Sequence, residues 1–230
     1  MGGKLVMTTI NQIRIEVEKS KRVKENKKGK YIKQLKILYT KYEGIEINEK
    51  FKKQYQQLNA KGIDLLKEIR GSKDENKIEG SIEVYIRYLK ASLCDFEGKT
   101  NYLRKYITSF LFSSILFLAL SPQFYGFILP VIFFLPIYMG LKGVKQRTMT
   151  GFYMTMSVVP VAIMTSFTWI RYGINAKMNY TGAVKAIVDS GVAESLARKL
   201  VYIGPVFGFI LLLFACLQMY RGYKSRDLFI

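Results

Sequence analysis

Three long windows of this chain contain no charged residue, and they set its architecture. They cover Tyr106–Leu141, Thr148–Ile170 and Leu200–Tyr220. An apolar run of 18 or more residues without charge is typical of a helix that spans a membrane. The first window holds 36 residues, about 54 Å as one helix against roughly 30 Å of bilayer hydrocarbon. Because proline disfavours helix at the residue before it, Ser121-Pro122-Gln123 predicts a break in this window.

The break and the other two windows predict four spans, at about residues 103–120, 124–141, 151–170 and 201–220. Basic residues at the span ends indicate the orientation, because cytoplasmic flanks carry an excess of Lys and Arg. Four spans place eight such residues on one side: Arg104, Lys105, Lys142, Lys145, Arg147, Arg221, Lys224 and Arg226. We therefore predict a multi-pass protein of the cell membrane with both termini in the cytoplasm.

Residues 1–100 carry shorter apolar stripes at helical spacing. A weak stripe covers Thr8–Lys24. Three clear stripes follow: Tyr31, Ile32, Leu35, Leu38, Tyr39 and Tyr42; Phe51, Tyr55, Leu58, Leu65 and Ile69; Ile78, Ile82, Tyr85, Leu89, Leu93 and Phe96. The sequence thus predicts an all-α integral membrane protein. A cytoplasmic helical hairpin or small bundle at 1–100, also able to self-associate as a coiled coil, precedes a transmembrane domain at 101–230.

The segment between spans three and four has a helical stripe of its own. Its apolar members are Val184, Ile187, Val188, Val192, Leu196 and Leu200. This pattern predicts an amphipathic helix at about residues 181–199, lying in the interface on the outer face. A re-entrant pore helix is the alternative.

Charge is concentrated at the front of the chain. Residues 1–105 hold 25 of the 36 Lys and Arg, and Lys19–Lys36 holds nine basic residues and one acidic residue. Such a run is either a solvated helix face or a surface attracted to anionic lipid at the cytoplasmic leaflet. Nucleic acid is an unlikely partner, because no interleaved Arg and aromatic platform accompanies the run. The candidate lipid contacts are Lys19, Lys21, Arg22, Lys24, Lys27, Lys28, Lys30, Arg104 and Lys105.

Composition restricts the chemistry. The chain has no His, its only cysteines are Cys94 and Cys216, and the three charge-free windows contain no Asp, Glu, Lys, Arg or His. Proton-coupled carriers, voltage sensors and intramembrane proteases need such groups. We therefore predict that the protein is not an enzyme, holds no metal and uses no cofactor.

Small, hydroxyl-bearing and proline residues remain as candidates within the spans. They are candidates for helix packing or for lining a neutral pore: Ser109, Ser113, Thr155, Pro160, Thr165, Ser166, Gly204 and Gly208. Two hypotheses follow. The first is a homo-oligomeric channel or transport component with a cytoplasmic regulatory or assembly domain. The second is a non-conducting anchor or signalling adaptor whose basic helices recruit a protein partner or anionic lipid.

Overall fold

The computed structural model describes residues 4–72 and 74–230. Within those residues the chain forms ten α-helices and two short 3-10 turns, at Glu49–Phe51 and Arg226–Leu228. The helices are α1 (Lys4–Lys19), α2 (Glu25–Glu43), α3 (Lys52–Gly71), α4 (Glu75–Phe96), α5 (Asn101–Leu120), α6 (Pro122–Tyr125), α7 (Ile128–Lys145), α8 (Met149–Met178), α9 (Tyr180–Asp189) and α10 (Glu194–Ser225).

The chain divides into two compact units. The N-terminal unit comprises residues up to Asn101 together with Asp227–Ile230, and the membrane unit comprises Tyr102–Arg226. The last four residues of the chain thus belong with the N-terminal unit rather than with residues 102–226, and Asp227 lies 3.5 Å from Lys90 of that unit.

The N-terminal unit is a four-helix bundle in which α1 packs on α2 and α3, and α4 packs on the same two helices. The apolar stripes of the sequence form its core, where several tyrosines are buried with aliphatic residues. Three of their hydroxyls have partners: Tyr31 donates to Glu83 (2.8 Å), Tyr42 donates to the Leu89 carbonyl (2.8 Å), and Tyr55 accepts from the Val6 amide (3.0 Å). The Tyr85 hydroxyl is buried without a hydrogen-bond partner among the described residues. The weakly predicted first helix begins at Lys4 and ends at Lys19, earlier than the pattern over residues 8–24 indicated.

The membrane unit contains four helices that are long and apolar enough to cross a bilayer: α5, α7, α8 and the helix that begins at Glu194. The four predicted apolar helices are therefore confirmed, and they are compatible with a multi-pass membrane protein. The second begins at Ile128 instead of about 124, because Pro122–Tyr125 forms a separate turn of helix that ends at Gly126, with φ of +61°. The third and fourth helices extend well beyond the predicted 151–170 and 201–220.

The predicted single amphipathic helix at 181–199 is wrong. Helix α9 ends at Asp189, and residues 194–199 form the first turns of α10. Between them Gly191 has φ of +92°, a conformation that suits glycine. The apolar side of α9 does not face outwards, because Val184 and Ile187 pack with Ala176, Ala197 and Val201 of the neighbouring helices.

Candidate functional site

A polar cluster lies where the four long helices of the membrane unit meet, at Thr155 of α8. The Thr155 hydroxyl lies 2.6 Å from the Tyr106 hydroxyl of α5. The Gln218 amide of α10 donates to the Thr155 carbonyl (2.8 Å). Gly140 of α7 lies against the Thr155 methyl group, where an added Cβ would come within 2.8 Å. Thr155 therefore links all four helices through two hydrogen bonds and one close glycine contact.

Five buried side-chain oxygens of the membrane unit have no hydrogen-bond partner in the described part of the chain. Three belong to Ser113 and Ser114 on α5 and to Gln218 on α10, and two belong to Ser121 and Gln123, between α5 and α7. Burying a polar atom without a partner costs free energy, and ordered water often supplies the missing bond.

The Gly204–Gly208 pair of α10 forms a seat for an aromatic side chain. Trp169 of α8 lies on both glycines so closely that a methyl group at either position would overlap it. The indole also donates to the Leu120 carbonyl of α5 (2.9 Å) and contacts the ring of Phe124 at 4.9 Å between centroids. The glycine pair thus serves contact between helices of one chain.

The remaining candidate residues of the membrane unit are either buried or exposed. Thr165 and Ser166 are buried and donate to carbonyls of their own helix, at Val161 and Ala162. Ser109 is buried likewise and donates to the Tyr106 carbonyl. Pro160 is exposed. The other seven of the eight candidates are buried between helices of the same chain.

The sequence reading missed a glycine contact that joins α7 to α8. Gly143 and Gly151 lie so close that a Cβ on either would overlap the backbone of the other. Thr148 caps α8 by accepting from the Gly151 amide (3.2 Å). The sequence does contain a signal for this contact, namely the small residues on both sides of the Lys145–Thr148 turn. Small residues allow membrane helices to approach closely.

The basic candidates of the N-terminal unit also separate into two groups. Three of them have partners within the unit: Arg22 donates to the Ser72 carbonyl (2.5 Å), Lys27 pairs with Glu79 (2.9 Å) and Lys28 pairs with Glu25 (3.0 Å). The other candidates are exposed, namely Lys19, Lys21, Lys24 and Lys30, with Arg104 and Lys105 exposed at the start of α5.

The Lys27–Glu79 pair is structural. Glu79 is 3% exposed and accepts from both the Lys27 ammonium and the Lys24 backbone amide (3.1 Å), which fixes the start of α2 on α4. These hydrogen bonds lower the pKa of Glu79, against the opposing effect of burial, and the same pair raises the pKa of Lys27.

A second feature, of which the candidate set included only Lys30, is the outer face of α2. Lys30, Lys33, Lys36 and Lys41 are exposed there, and no acidic residue occurs between Glu25 and Glu43. Ile37 lies among these lysines and is 48% exposed. The opposite face of α2 is buried in the bundle core through Tyr31, Leu35, Leu38 and Tyr42. We call the four lysines and Ile37 the α2 basic face.

No family model, curated protein or solved structure matches this chain. In residues 4–72 and 74–230, no group of three or more His, Cys, Asp and Glu side chains is placed to hold a metal ion.

Proposed function

We propose that this protein is a multi-spanning membrane adaptor whose N-terminal bundle docks on anionic lipid through the α2 basic face. The observation that carries the proposal is the composition of that face: four exposed lysines, one exposed isoleucine and no acidic side chain between Glu25 and Glu43. A basic residue near an anionic membrane surface contributes about 1 kcal/mol, and an apolar side chain adds partial insertion between the headgroups.

The membrane unit supports an anchoring role. Seven of the eight candidate residues lie buried between helices of one chain, and glycine contacts bring these helices together. The apolar side chains that remain exposed on α5, α7, α8 and α10 suit a lipid environment.

The test uses full-length protein in nanodiscs of zwitterionic lipid, mixed with vesicles that contain about a third of anionic phospholipid. We expect capture by these vesicles but not by zwitterionic ones, and capture should weaken as salt rises. The triple variant Lys30→Gln, Lys33→Gln, Lys36→Gln should bind about a hundredfold more weakly, since three lysines contribute about 3 kcal/mol together.

The matched control changes the same number of charges on α3, in Lys52→Gln, Lys53→Gln, Lys67→Gln. All three of these lysines are exposed. The control should bind nearly as well as the unmodified protein. If both triple variants bound equally weakly, net charge alone would explain the binding, and the α2 basic face would have no special role. Unchanged binding in the α2 variant would overturn the proposal. Capture by an acidic protein but not by vesicles would point to a protein partner instead.

A homo-oligomeric channel or transport component is the second candidate. The observation in its favour is the set of unpartnered polar atoms at Ser113, Ser114 and Gln218 inside the bundle. Water along such atoms would form a neutral path. Conductance of purified protein in planar bilayers, altered by Ser113→Ala or Gln218→Leu, would support this function. A silent bilayer from a monomeric preparation would exclude it.

A further inference from the structure

We propose that a cavity between α9 and the first turns of α10 binds the phosphodiester headgroup of an anionic phospholipid. The cavity has a volume of about 330 Å³. It lies wholly within the membrane unit. The inference rests on the membrane-spanning part of the proposed function and is independent of the α2 basic face.

Two cations line the cavity from different helices. Lys185 belongs to α9 and Arg198 to α10. Glu194 also lines it and accepts from two guanidinium nitrogens of Arg198, Nε at 3.1 Å and Nη2 at 2.7 Å. This ion pair holds the guanidinium in one orientation. With two cations and one carboxylate the lining carries a net charge of +1, which complements the single negative charge of a phosphodiester.

Polar and apolar groups line the same cavity. The side chains of Tyr180 and Thr181 provide hydroxyls, and Val184 and Val188 provide an apolar wall. A phosphate-glycerol headgroup needs both, since its phosphate oxygens accept hydrogen bonds and its glycerol backbone continues into acyl chains. A free phosphate ion would gain nothing from the two valines.

The position of the cavity in the membrane unit favours a lipid. On α10 the surface changes from charged to apolar within one turn: Arg198 and Lys199 are followed by Tyr202, which is 68% exposed, and then by exposed Ile203 and Val206. Tyr180 packs beside Tyr202 with 5.5 Å between ring centroids. Aromatic residues mark the headgroup level of membrane proteins. A headgroup in the cavity could therefore direct its acyl chains along the exposed apolar surface of α10.

The same site accounts for a charge pattern that the orientation rule leaves unexplained. The segment Arg171–Lys199 carries five basic and two acidic residues, although it connects the third and fourth spans on the side opposite the eight flanking cations. Two of these five cations line the cavity. A bound anionic lipid would give them a partner at the membrane surface.

The test is native mass spectrometry of the full-length protein in detergent, titrated separately with phosphatidylglycerol and phosphatidylcholine. We expect one phosphatidylglycerol molecule per chain to bind at least tenfold more tightly than phosphatidylcholine. The double variant Lys185→Gln, Arg198→Gln should lose this preference. The control Arg171→Gln, Lys177→Gln removes two exposed cations from the same segment outside the cavity lining, and it should keep the preference within about twofold.

Each remaining outcome decides the question. Equal loss in both double variants, or equal binding of the two lipids by the unmodified protein, would overturn the proposal. Displacement of the lipid by inorganic phosphate would reassign the cavity to a free anion. If Lys185→Gln, Arg198→Gln unfolds the protein, Arg198→Lys with Lys185→Gln tests the same site. Failure of vesicle capture by the α2 basic face would leave all of these readouts unchanged.

Discussion

The interior of the N-terminal unit consists mainly of aliphatic and tyrosine side chains, with a few buried polar groups such as Glu79, and its exposed surface is rich in lysine. The membrane unit also has an apolar core, but it buries Thr155, Gln218 and several serines as well, and large apolar side chains of α7 and α10 are exposed on its surface. In water the bundle is held by burial of apolar area. Helices in lipid gain little from such burial and rely on close packing and polar contacts. The comparison teaches that two helical units with apolar cores can differ mainly at their surfaces, where lysine is frequent in one unit and large apolar side chains in the other.

Glycine shows the same contrast. In the N-terminal unit the described glycines other than Gly62 have open space where a Cβ would stand. In the membrane unit, glycines on α7, α8 and α10 lie against a neighbouring helix at seven positions: Gly140, Gly143, Gly151, Gly173, Gly204, Gly208 and Gly222. Glycines that leave room for a neighbouring helix are thus frequent in one unit and an exception in the other.

The largest expected difference comes from placing the same charge on the two surfaces. Ile132 of α7 is 59% exposed and Ile63 of α3 is 43% exposed. Ile132→Lys should cost about 3 kcal/mol of membrane insertion, because a lysine near the centre of a spanning helix is expensive. Ile63→Lys should change stability by less than about 0.5 kcal/mol, as exposed substitutions in water usually do. An insertion assay in microsomes, scored on α7, measures the first, and thermal unfolding of the full chain measures the second.

Equal tolerance of both lysines would show that α7 is not in contact with lipid. Equal damage from both would show that Ile63 lies at an interface in the functional protein.

A pair of identical substitutions tests the glycine contrast within the N-terminal unit. Gly62→Ala should destabilise it by about 2 kcal/mol, because the new methyl group would overlap the Tyr85 hydroxyl and the Thr9 methyl group. Gly80→Ala of α4 meets nothing within 4 Å and should stabilise the helix by up to about 1 kcal/mol. Hydrogen exchange of α3 and α4 amides in the full chain gives both values. The two substitutions must change the free energy of unfolding in opposite directions. Losses of similar size in both variants would contradict the packing described for Gly62 and Gly80.

Much of the fold could be predicted because helical periodicity is a local property. The stripes of residues 31–96 lie in the core, and the charge-free windows lie in four long helices. The division between α9 and α10 could not be predicted, since Val188 and Val192 remain in helical register across the turn at Gly191. The apolar pattern of the sequence does not reveal a break between two helices when the residues on both sides of the break keep the helical spacing.

The site could be predicted only in part, because several of its residues have partners that are distant in the sequence. Lys27 resembled its neighbours in the basic run, but Glu79, which lies 52 residues further along the chain, holds it within the bundle. Likewise the spacing of Gly204 and Gly208 indicates a helix contact without showing that an indole on α8 occupies it. Which lysines remain for an external partner depends on tertiary contacts that no local pattern contains.

The ion pair between Lys27 and buried Glu79 should make the stability of the N-terminal bundle depend on pH. Because the pKa of Glu79 is lowered in the folded state, its contribution is complete above the ordinary value of 4.5 and is lost as pH falls through the lowered value. Glu79→Gln should reduce unfolding free energy by about 1–2 kcal/mol at neutral pH and flatten the decline below about 4.5. Urea titration, followed by hydrogen exchange at the start of α2, checks both. An unchanged acid slope in the variant would assign that slope to other carboxylates.

The smallest effect is expected at the polar cluster in the membrane unit, although its residues are among the most buried. Tyr106→Phe removes the 2.6 Å contact with the Thr155 hydroxyl and keeps the ring that packs on Phe152 at 5.9 Å. Hydrogen bonds between membrane helices contribute about 0.6 kcal/mol on average, since the separated helices find other partners in the membrane. The Thr155 hydroxyl also keeps its bond to the Phe152 carbonyl (2.8 Å), which softens the loss. Unfolding in mixed micelles should therefore shift by less than 1 kcal/mol. A loss of 2 kcal/mol or more would mean that the cluster is a cooperative network, and that the polar interior, rather than glycine packing, holds the membrane unit together.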